Sequence, residues 1–373
     1  MRPLVPPHIA SLAPYPPGKP IQEVERELGI EGAIKLASNE NPLGPSPRAL
    51  EAIAGAVSDL HYYPDGGGYY LKRALAERFD VDPSWLMIGN GSNELIELLV
   101  RTFMVPGMNA VSSAGAFVVY KLVTLGAGHG FRESPLSPER GFDLDALLAA
   151  TDRDTRLVFI ANPNNPTGTW LDGAALERFA AALDARFPTD PPILVLDEAY
   201  HEFVDRPAAL DSLGLVRRRP RTVVLRTFSK AYGLAGLRCG YGFARPELTE
   251  AVHRIKAPFN VGSLALVAAE AALGDEEFLR RTVQLNANEM AYVTAGLRAL
   301  GVGVTPSQTN FVLADFGRDA EALFRRAMAR GVILRPMGAY GLPSCLRISL
   351  GTRPDNERML AVMGDVMAES GAA

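Results

Sequence analysis

The chain has 373 residues, of which 47% are hydrophobic and 21% charged, and its formal net charge is -4 at pH 7. That length can bury a sizeable core and form two domains, and the weak negative charge gives no electrostatic reason to expect nucleic acid or an anionic membrane as a partner. Two cysteines are too few for a disulfide scaffold or a cysteine metal site, and the five histidines lack metal-ligand spacing, so we expect no metal.

The amino-terminal segment is rich in proline. Residues 1–20 lack the charged head and apolar stretch of a signal peptide. No uninterrupted apolar run elsewhere in the sequence is long enough to cross a bilayer. We therefore expect a cytoplasmic enzyme.

Amphipathic helical patterns alternate with short apolar strands along most of the chain. Apolar spacing and capping residues predict helices over residues 21–28, 46–60, 94–103, 116–125, 172–187, 246–255, 263–273 and 275–300. The stripe of the second helix contains Leu50, Ile53, Val57 and Leu60. Such alternation is typical of an α/β fold, in which helices sandwich a mainly parallel sheet.

The segment before the helix of residues 94–103 is a candidate anion site. Ser92 is placed to cap that helix, and a helix amino terminus presents unpaired N–H groups and a favourable dipole to an anion. Gly91, Ser92 and Asn93 are therefore predicted to form a phosphate cradle. For this tripeptide alone, an ordinary cap without a ligand is the alternative.

Three apolar strands each lead to a polar residue with catalytic potential. Asn165 follows the strand of residues 157–160, Asp197 ends the strand of residues 193–196, and Lys230 follows the strand of residues 221–227. A buried carboxylate can keep a pyridine nitrogen protonated, an amide can donate to a phenolate, and an amine can attack an aldehyde. Together these residues predict an enzyme that uses pyridoxal phosphate.

In the last third of the chain the order of helical and strand patterns changes, and it predicts a second, smaller α+β domain. Strands are expected over residues 310–315, 332–335 and 346–350, and helices over 319–329 and 354–369. We predict a large cofactor-binding domain of residues 40–270 and a small domain of residues 1–39 plus 271–373. The cleft between the two domains is the expected active site.

At this point the chain resembles the fold-type I pyridoxal-phosphate-dependent aminotransferases, from about Pro14 to about Thr352. The resemblance rests on ordered motifs at residues 36–44, 63–66, 89–94, 161–168, 195–200, 227–238 and 346–349. It implies a fold-type I transferase that binds pyridoxal 5′-phosphate and works as a homodimer with shared active sites.

The family's residue roles carry over to matching positions. Lys230 matches the lysine that bonds the cofactor and then moves a proton between two carbons, and Asp197 matches the carboxylate at the ring nitrogen. Tyr200 and Asn165 match the residues that contact the ring oxygen. Arg238 matches the arginine that binds the cofactor phosphate. The other implied phosphate contacts are Gly91, Ser92, Asn93 and Thr227.

Aromatic residues are implied at two further positions. Phe117 matches the side chain stacked on the cofactor ring, although Tyr120 is a close rival, and a plain core aromatic is the alternative. Tyr63 matches a tyrosine that reaches the phosphate in the neighbouring subunit, with Tyr62 beside it as the other choice. Arg347 matches the arginine that grips a substrate carboxylate.

Substrate choice depends on fewer residues. The segments 331–337 and 340–343 are similar to the branch of the family that acts on histidinol phosphate, in which residues matching Arg335, Tyr15 and Asn39 contact the substrate. One pocket must then accept a phosphate-bearing amine and 2-oxoglutarate, and guanidinium groups suit both anions. Arg335 could instead be a surface residue at a strand end.

Two other functions share these features. An aromatic amino acid aminotransferase or a threonine-phosphate decarboxylase would have the same lysine, aspartate and arginine set. A non-catalytic ligand sensor on this fold is a further alternative, which would need a DNA-binding extension.

Overall fold

The computed structural model describes residues 4–14, 18–204 and 209–371, so Tyr15 lies outside the described residues. Its helices are α1 (Pro7–Ala10), α2 (Ile21–Leu28), α3 (Pro47–Ala56), α4 (Tyr69–Phe79), α5 (Gly91–Phe103), α6 (Val119–Gly126), α7 (Leu144–Ala150), α8 (Gly173–Arg186), α9 (Ser212–Arg218), α10 (Pro246–His253), α11 (Ser263–Leu273), α12 (Glu276–Ala299), α13 (Ala320–Ala329) and α14 (Arg353–Gly371). Its strands are β1 (Ile34–Lys35), β2 (Leu86–Asn90), β3 (Asn109–Ser113), β4 (Gly130–Ser134), β5 (Thr155–Ala161), β6 (Ile193–Asp197), β7 (Thr222–Thr227), β8 (Cys239–Phe243), β9 (Gly303–Thr305), β10 (Phe311–Asp315), β11 (Val332–Ile333), β12 (Arg335–Pro336) and β13 (Cys345–Ser349).

A seven-stranded sheet in the order β2-β8-β7-β6-β5-β3-β4 forms the centre of the molecule. Strands β3 to β7 pair in parallel, and β8 runs antiparallel to both of its neighbours. The inner strands are buried along their length because helices cover both faces, which is why they read as continuous apolar runs. Parallel pairing brings the carboxyl ends of β5, β6 and β7 to one edge.

The smaller sheet has the order β12-β13-β10-β9, and β1 pairs separately with β11. Its core contains Leu36 and apolar residues between 293 and 366, whereas the core of the large sheet contains residues between 49 and 273. We propose residues 40–270 and 1–39 plus 271–373 as the two domains. The separate cores support two domains, and the large core extends slightly past that boundary, to Leu273 at the end of α11. Among the described residues, no helix is long and apolar enough to span a membrane.

Three local expectations need correction. Helix α5 begins at Gly91, so Ser92 lies inside the first turn, and Asn90 at the cap position makes no side-chain cap bond. Helix α6 begins at Val119 rather than at residue 116. The strand expected over residues 332–335 is split, because β11 pairs with β1 and β12 pairs with β13. Arg335 therefore belongs to a different sheet from Val332.

Candidate active site

The amino terminus of α5 lies against Arg238, which follows a short turn after Lys230. A Cβ atom added to Gly91, whose φ is +72°, would lie 2.6 Å from a guanidinium nitrogen of Arg238. A Cβ atom added to Gly240 would lie 2.4 Å from the backbone nitrogen of Ser92. Glycine is required at position 240 because the backbone of α5 leaves no room for a side chain, and it is favoured at position 91 by the positive φ.

Two hydroxyl groups complete this region. Thr227 Oγ1 donates to Ser229 Oγ at 3.0 Å, and Arg238 donates to Ser229 Oγ at 3.4 Å and to the Ala235 carbonyl at 2.9 Å. Ser92 is buried, while Asn93 is exposed. Uncapped helix N–H groups, two hydroxyls and a guanidinium form a donor set that suits a phosphate dianion. Ser229 was not among the predicted site residues, although it directly precedes the lysine.

Asp197 is buried at the end of β6, with 5% of its surface exposed. Its Oδ2 atom accepts a hydrogen bond of 2.7 Å from the Tyr120 hydroxyl, and its Oδ1 atom accepts one of 3.2 Å from the Ala199 N–H. Burial raises the pKa of Asp197 to about 6, and the Tyr120 hydrogen bond opposes that rise. A cation next to this carboxylate would restore its charge. The structure therefore places a carboxylate that is ready for a protonated ring nitrogen.

Lys230 lies after β7, and its Nζ atom donates to the carbonyl oxygens of Ser38 and Asn39, both at 3.3 Å. Burial, and then the charge of Arg347, lower the pKa of Lys230 to about 8. About half of this amine is therefore neutral at pH 8, and a neutral amine is what a nucleophile and proton acceptor requires.

The strand β13 brings the small domain into contact with the predicted cofactor residues. Arg347 Nη1 donates to Asn165 Oδ1 at 2.6 Å, and its Nη2 donates to the Ala37 carbonyl at 2.7 Å. The Tyr200 hydroxyl accepts a hydrogen bond of 2.8 Å from Asn39 Nδ2. Burial raises the pKa of Tyr200 to about 12, so this phenol stays protonated and can donate. These contacts join β13 of the smaller sheet and Asn39 to residues that follow β5 and β6 of the large sheet.

Asn39 itself is fixed by its surroundings. It has a φ of +56°, its N–H donates to Ser349 Oγ at 2.8 Å, and Ser349 Oγ donates back to Asn39 Oδ1 at 2.9 Å. The Asn310 amide donates to its carbonyl at 3.0 Å. Such bonds hold a non-glycine residue in a left-handed conformation.

The remaining predicted residues are placed as follows. Phe117 is half-buried and meets Tyr120 edge-on with ring centroids 5.7 Å apart. Tyr63 is 83% exposed and stacks on Phe259 with ring centroids 4.8 Å apart. Arg335 is half-buried and lies directly opposite Arg347 in the β12–β13 register. Among the described residues, no cluster of His, Cys, Asp or Glu could hold a metal.

The sequence profile of aminotransferases of class I and II matches residues 31–363. The chain belongs to this family. The aminotransferase is 52% identical over 366 residues to the histidinol-phosphate aminotransferase of Anaeromyxobacter sp. (strain Fw109-5), with 98% of this chain and 99% of that protein covered. It is 47% identical to histidinol-phosphate aminotransferase 2 of Pseudomonas aeruginosa, with 98% of each chain covered.

Solved structures agree with the family assignment. Histidinol-phosphate aminotransferase from Sinorhizobium meliloti in complex with pyridoxal-5′-phosphate superposes with a TM-score of 0.90 at 33% identity, covering 98% of both chains. An aspartate aminotransferase from Thermus thermophilus has a TM-score of 0.84 at 21% identity and shares the fold. The predicted fold-type I architecture and the prediction of a pyridoxal-phosphate-dependent aminotransferase are confirmed.

The residues of the aminotransferase fit the cofactor. When bound, pyridoxal phosphate supplies an aldehyde that takes up the amino group and a ring that withdraws electrons from the reacting carbon. The donors around Arg238 would hold its phosphate, Asp197 would keep its ring nitrogen protonated, and Tyr200 and Asn165 would hydrogen-bond its ring oxygen. Lys230 would bond the aldehyde and carry the proton at its Nζ atom. Phe117 would cover the ring.

Proposed function

We propose that this aminotransferase moves the amino group between L-histidinol phosphate and 2-oxoglutarate, giving imidazole acetol phosphate and L-glutamate, and that it works in the cytoplasm as a homodimer. Relatives that carry the name histidinol-phosphate aminotransferase match nearly the whole chain at 52% and 47% identity. Such identity over full length supports a shared substrate as well as a shared fold.

The observation that carries the substrate assignment is the pairing of two arginines. Arg335 on β12 and Arg347 on β13 are directly opposite in an antiparallel ladder, so their side chains leave the same face of the sheet. Arg347 reaches Asn165 at 2.6 Å, which directs that face toward the cofactor residues. Two guanidinium groups on one face favour a substrate with more negative charge than a single carboxylate provides.

The two guanidinium groups would bind the anionic groups of the two substrates. Arg335 would bind the phosphate of histidinol phosphate, which has no carboxylate, and then a carboxylate of 2-oxoglutarate. Arg347 would bind the α-carboxylate of the acceptor, with its orientation fixed by Asn165 and the Ala37 carbonyl. Tyr15 is proposed as a further substrate contact on the grounds of its sequence match.

Replacing Arg335 by leucine is expected to weaken the use of histidinol phosphate far more than the use of phenylalanine. Removing one partner of a buried charge pair costs roughly 2–5 kcal/mol, which is about 30-fold to several thousandfold in the specificity constant. Phenylalanine has no phosphate and makes no such contact. The measurement is a single turnover of the first half-reaction, in which the bound pyridoxal form is converted to the pyridoxamine form without 2-oxoglutarate.

Arg325→Leu provides the control for this test. Arg325 is in the same domain, is 71% exposed, and pairs with Glu321 of its own helix at 3.2 Å. The Arg325→Leu variant should use histidinol phosphate and phenylalanine as well as the parent does, because exposed ion pairs contribute little to stability. Equal losses for the two donors in Arg335→Leu, or a parent enzyme that prefers phenylalanine, would contradict the assignment and favour an aromatic amino acid aminotransferase.

The proposed dimer has support from exposed apolar side chains in one region. Helix α3, the segment that follows it and the start of α4 expose Leu50, Val57, Leu60, Tyr62, Tyr63, Tyr69 and Tyr70, and Phe259 stacks on Tyr63. Helix α3 ends at Ala56, and of the expected stripe Leu50, Val57 and Leu60 are exposed, whereas Ile53 packs against the large core. A concentration of exposed apolar residues of this kind marks a protein interface.

Mixing two inactive variants is expected to restore activity if each site is shared. A dimer of one Lys230→Ala chain and one Tyr63→Ala chain has one intact site and one doubly damaged site. A statistical mixture should therefore regain about a quarter of the parental activity. The measurement is turnover after subunit exchange, with exchange verified by tagged chains.

Tyr62→Ala is the matched control for the choice between the adjacent tyrosines, because Tyr62 is 68% exposed. If Tyr63 enters the neighbouring site, Tyr62→Ala alone keeps most of its activity. Absence of recovery under verified exchange would mean that each site is built within one chain.

A further inference from the structure

Tyr120 makes a contact that the family assignment does not require. Its hydroxyl donates to Asp197 Oδ2 at 2.7 Å, and the whole side chain is buried. Its ring lies parallel to Phe159, with centroids 4.8 Å apart and an interplanar angle of 4°. Tyr120 was a candidate for stacking on the cofactor ring, but in the structure its ring stacks on Phe159 and its hydroxyl donates to the Asp197 carboxylate.

The first turn of α6 fixes Tyr120 relative to the cofactor residues. Thr124 Oγ1 donates to the Tyr120 carbonyl at 2.7 Å. Phe117 is three residues earlier and meets the Tyr120 ring edge-on at 5.7 Å. A single short segment therefore presents both the aromatic side chain expected over the cofactor ring and the hydrogen-bond donor to Asp197. With its ring packed on two sides, the tyrosine cannot turn its hydroxyl away.

The charge of Asp197 depends on the groups that face it. Burial and the adjacent Glu198 disfavour the ionised form, whereas the Tyr120 hydroxyl, the Ala199 N–H and Lys230 favour it. Tyr200 also interacts electrostatically with Asp197, and it stays neutral below about pH 12. Tyr340 interacts electrostatically with both Tyr120 and Tyr200. The hydrogen bond from the Tyr120 hydroxyl to the carboxylate is 2.7 Å long, shorter than the bond of 3.2 Å from the Ala199 N–H.

We propose that Tyr120 is a positioning residue that keeps the Asp197 carboxylate ionised and correctly oriented toward the ring nitrogen of pyridoxal phosphate. The inference rests on the cofactor and not on the identity of the amino donor, so it stands or falls separately from the histidinol phosphate assignment. The hydroxyl acts through Asp197 and touches neither the cofactor nor the substrate.

Replacing Tyr120 by phenylalanine is expected to weaken cofactor binding before any turnover takes place. A hydrogen bond to a charged group contributes enough that its loss raises a dissociation constant roughly tenfold to hundredfold. Pyridoxamine 5′-phosphate is the probe, because it cannot bond covalently to Lys230. Its dissociation constant from the full-length apoprotein should rise by this factor at pH 7, and the acid limb of its pH dependence should move to higher pH.

An analogue with carbon in place of the ring nitrogen distinguishes positioning from packing. Asp197 has no proton to share with that analogue, so Tyr120→Phe should lower its affinity much less than the affinity for pyridoxamine phosphate. The same logic predicts that Tyr120→Phe has little effect in an Asp197→Asn background. A purely structural role would weaken both ligands equally and in both backgrounds.

Tyr241→Phe is the matched control. Tyr241 is fully buried on β8, and its ring packs against Phe228 and Phe243 rather than near Asp197. This variant should bind pyridoxamine phosphate and the analogue as the parent does. Unchanged affinity in Tyr120→Phe, or equal loss for the two ligands, would overturn the proposal, and the circular dichroism spectrum establishes that each variant is folded.

Discussion

Replacing Lys230 by alanine is expected to abolish turnover, by at least about a thousandfold, while the fold is retained. The Lys230 amine contacts two backbone carbonyls at 3.3 Å, and its pKa is lowered to about 8. The fold should tolerate its removal, because the buried Asp197 carboxylate keeps its hydrogen bonds from Tyr120 and Ala199. Steady-state turnover and thermal denaturation of the variant test both parts of this expectation.

Chemical labelling identifies the same residue independently. In the parent, borohydride should fix the cofactor to Lys230, and peptide mapping should recover it there. Lys72 is the internal comparison, because it is also partly buried and its pKa is also lowered by burial. Attachment at Lys72, or at any lysine other than Lys230, would refute the assignment. Partial rescue of Lys230→Ala by added methylamine would show that the missing group is an amine.

The positions of Asn165, Asp197 and Lys230 could be predicted because they depend on a local rule. Each follows an apolar strand, and parallel pairing of β5, β6 and β7 aligns their carboxyl ends, as in the register of Ala161 with Asp197. Once the three strands are recognised, the sheet itself brings the residues together.

Contacts between distant segments could not be predicted in the same way. Tyr120 meets Asp197 across 77 positions of sequence, and nothing in the motif around either residue indicates the hydrogen bond. The pairing of Arg335 with Arg347 required the break between β11 and β12, which the apolar run of residues 332–334 conceals. The exposed Leu50, Val57 and Leu60 have the same spacing as a buried stripe, because periodicity defines a face and not what covers it.

Replacing Asp197 by asparagine is expected to slow turnover by at least about a hundredfold, because a neutral amide cannot hold the ring nitrogen protonated. The shape of the side chain is preserved. The amide oxygen can still accept from the Ala199 N–H, and the amide nitrogen can donate to the Tyr120 hydroxyl once that hydroxyl rotates. Single-turnover measurement with saturating cofactor isolates the chemical step from weaker cofactor binding.

The same substitution should stabilise the protein when the cofactor is removed. Burial raises the pKa of Asp197 to about 6 in the folded chain, above its ordinary value of 3.8, so the folded state binds more protons between these values. Stability of the apoprotein therefore falls as pH rises through that window, by up to about 3 kcal/mol for a shift of this size.

Asparagine carries no such penalty, so apo Asp197→Asn should unfold at a higher temperature than the apo parent at pH 8 and at nearly the same temperature at pH 4. Saturating pyridoxal phosphate should reverse the order at pH 8, because ligand that binds the folded state more tightly stabilises it more. Near-normal turnover in the variant would mean that Asp197 is not the partner of the ring nitrogen. An apo variant less stable than the parent at pH 8 would mean that Asp197 does not carry a destabilising buried charge in the apoprotein.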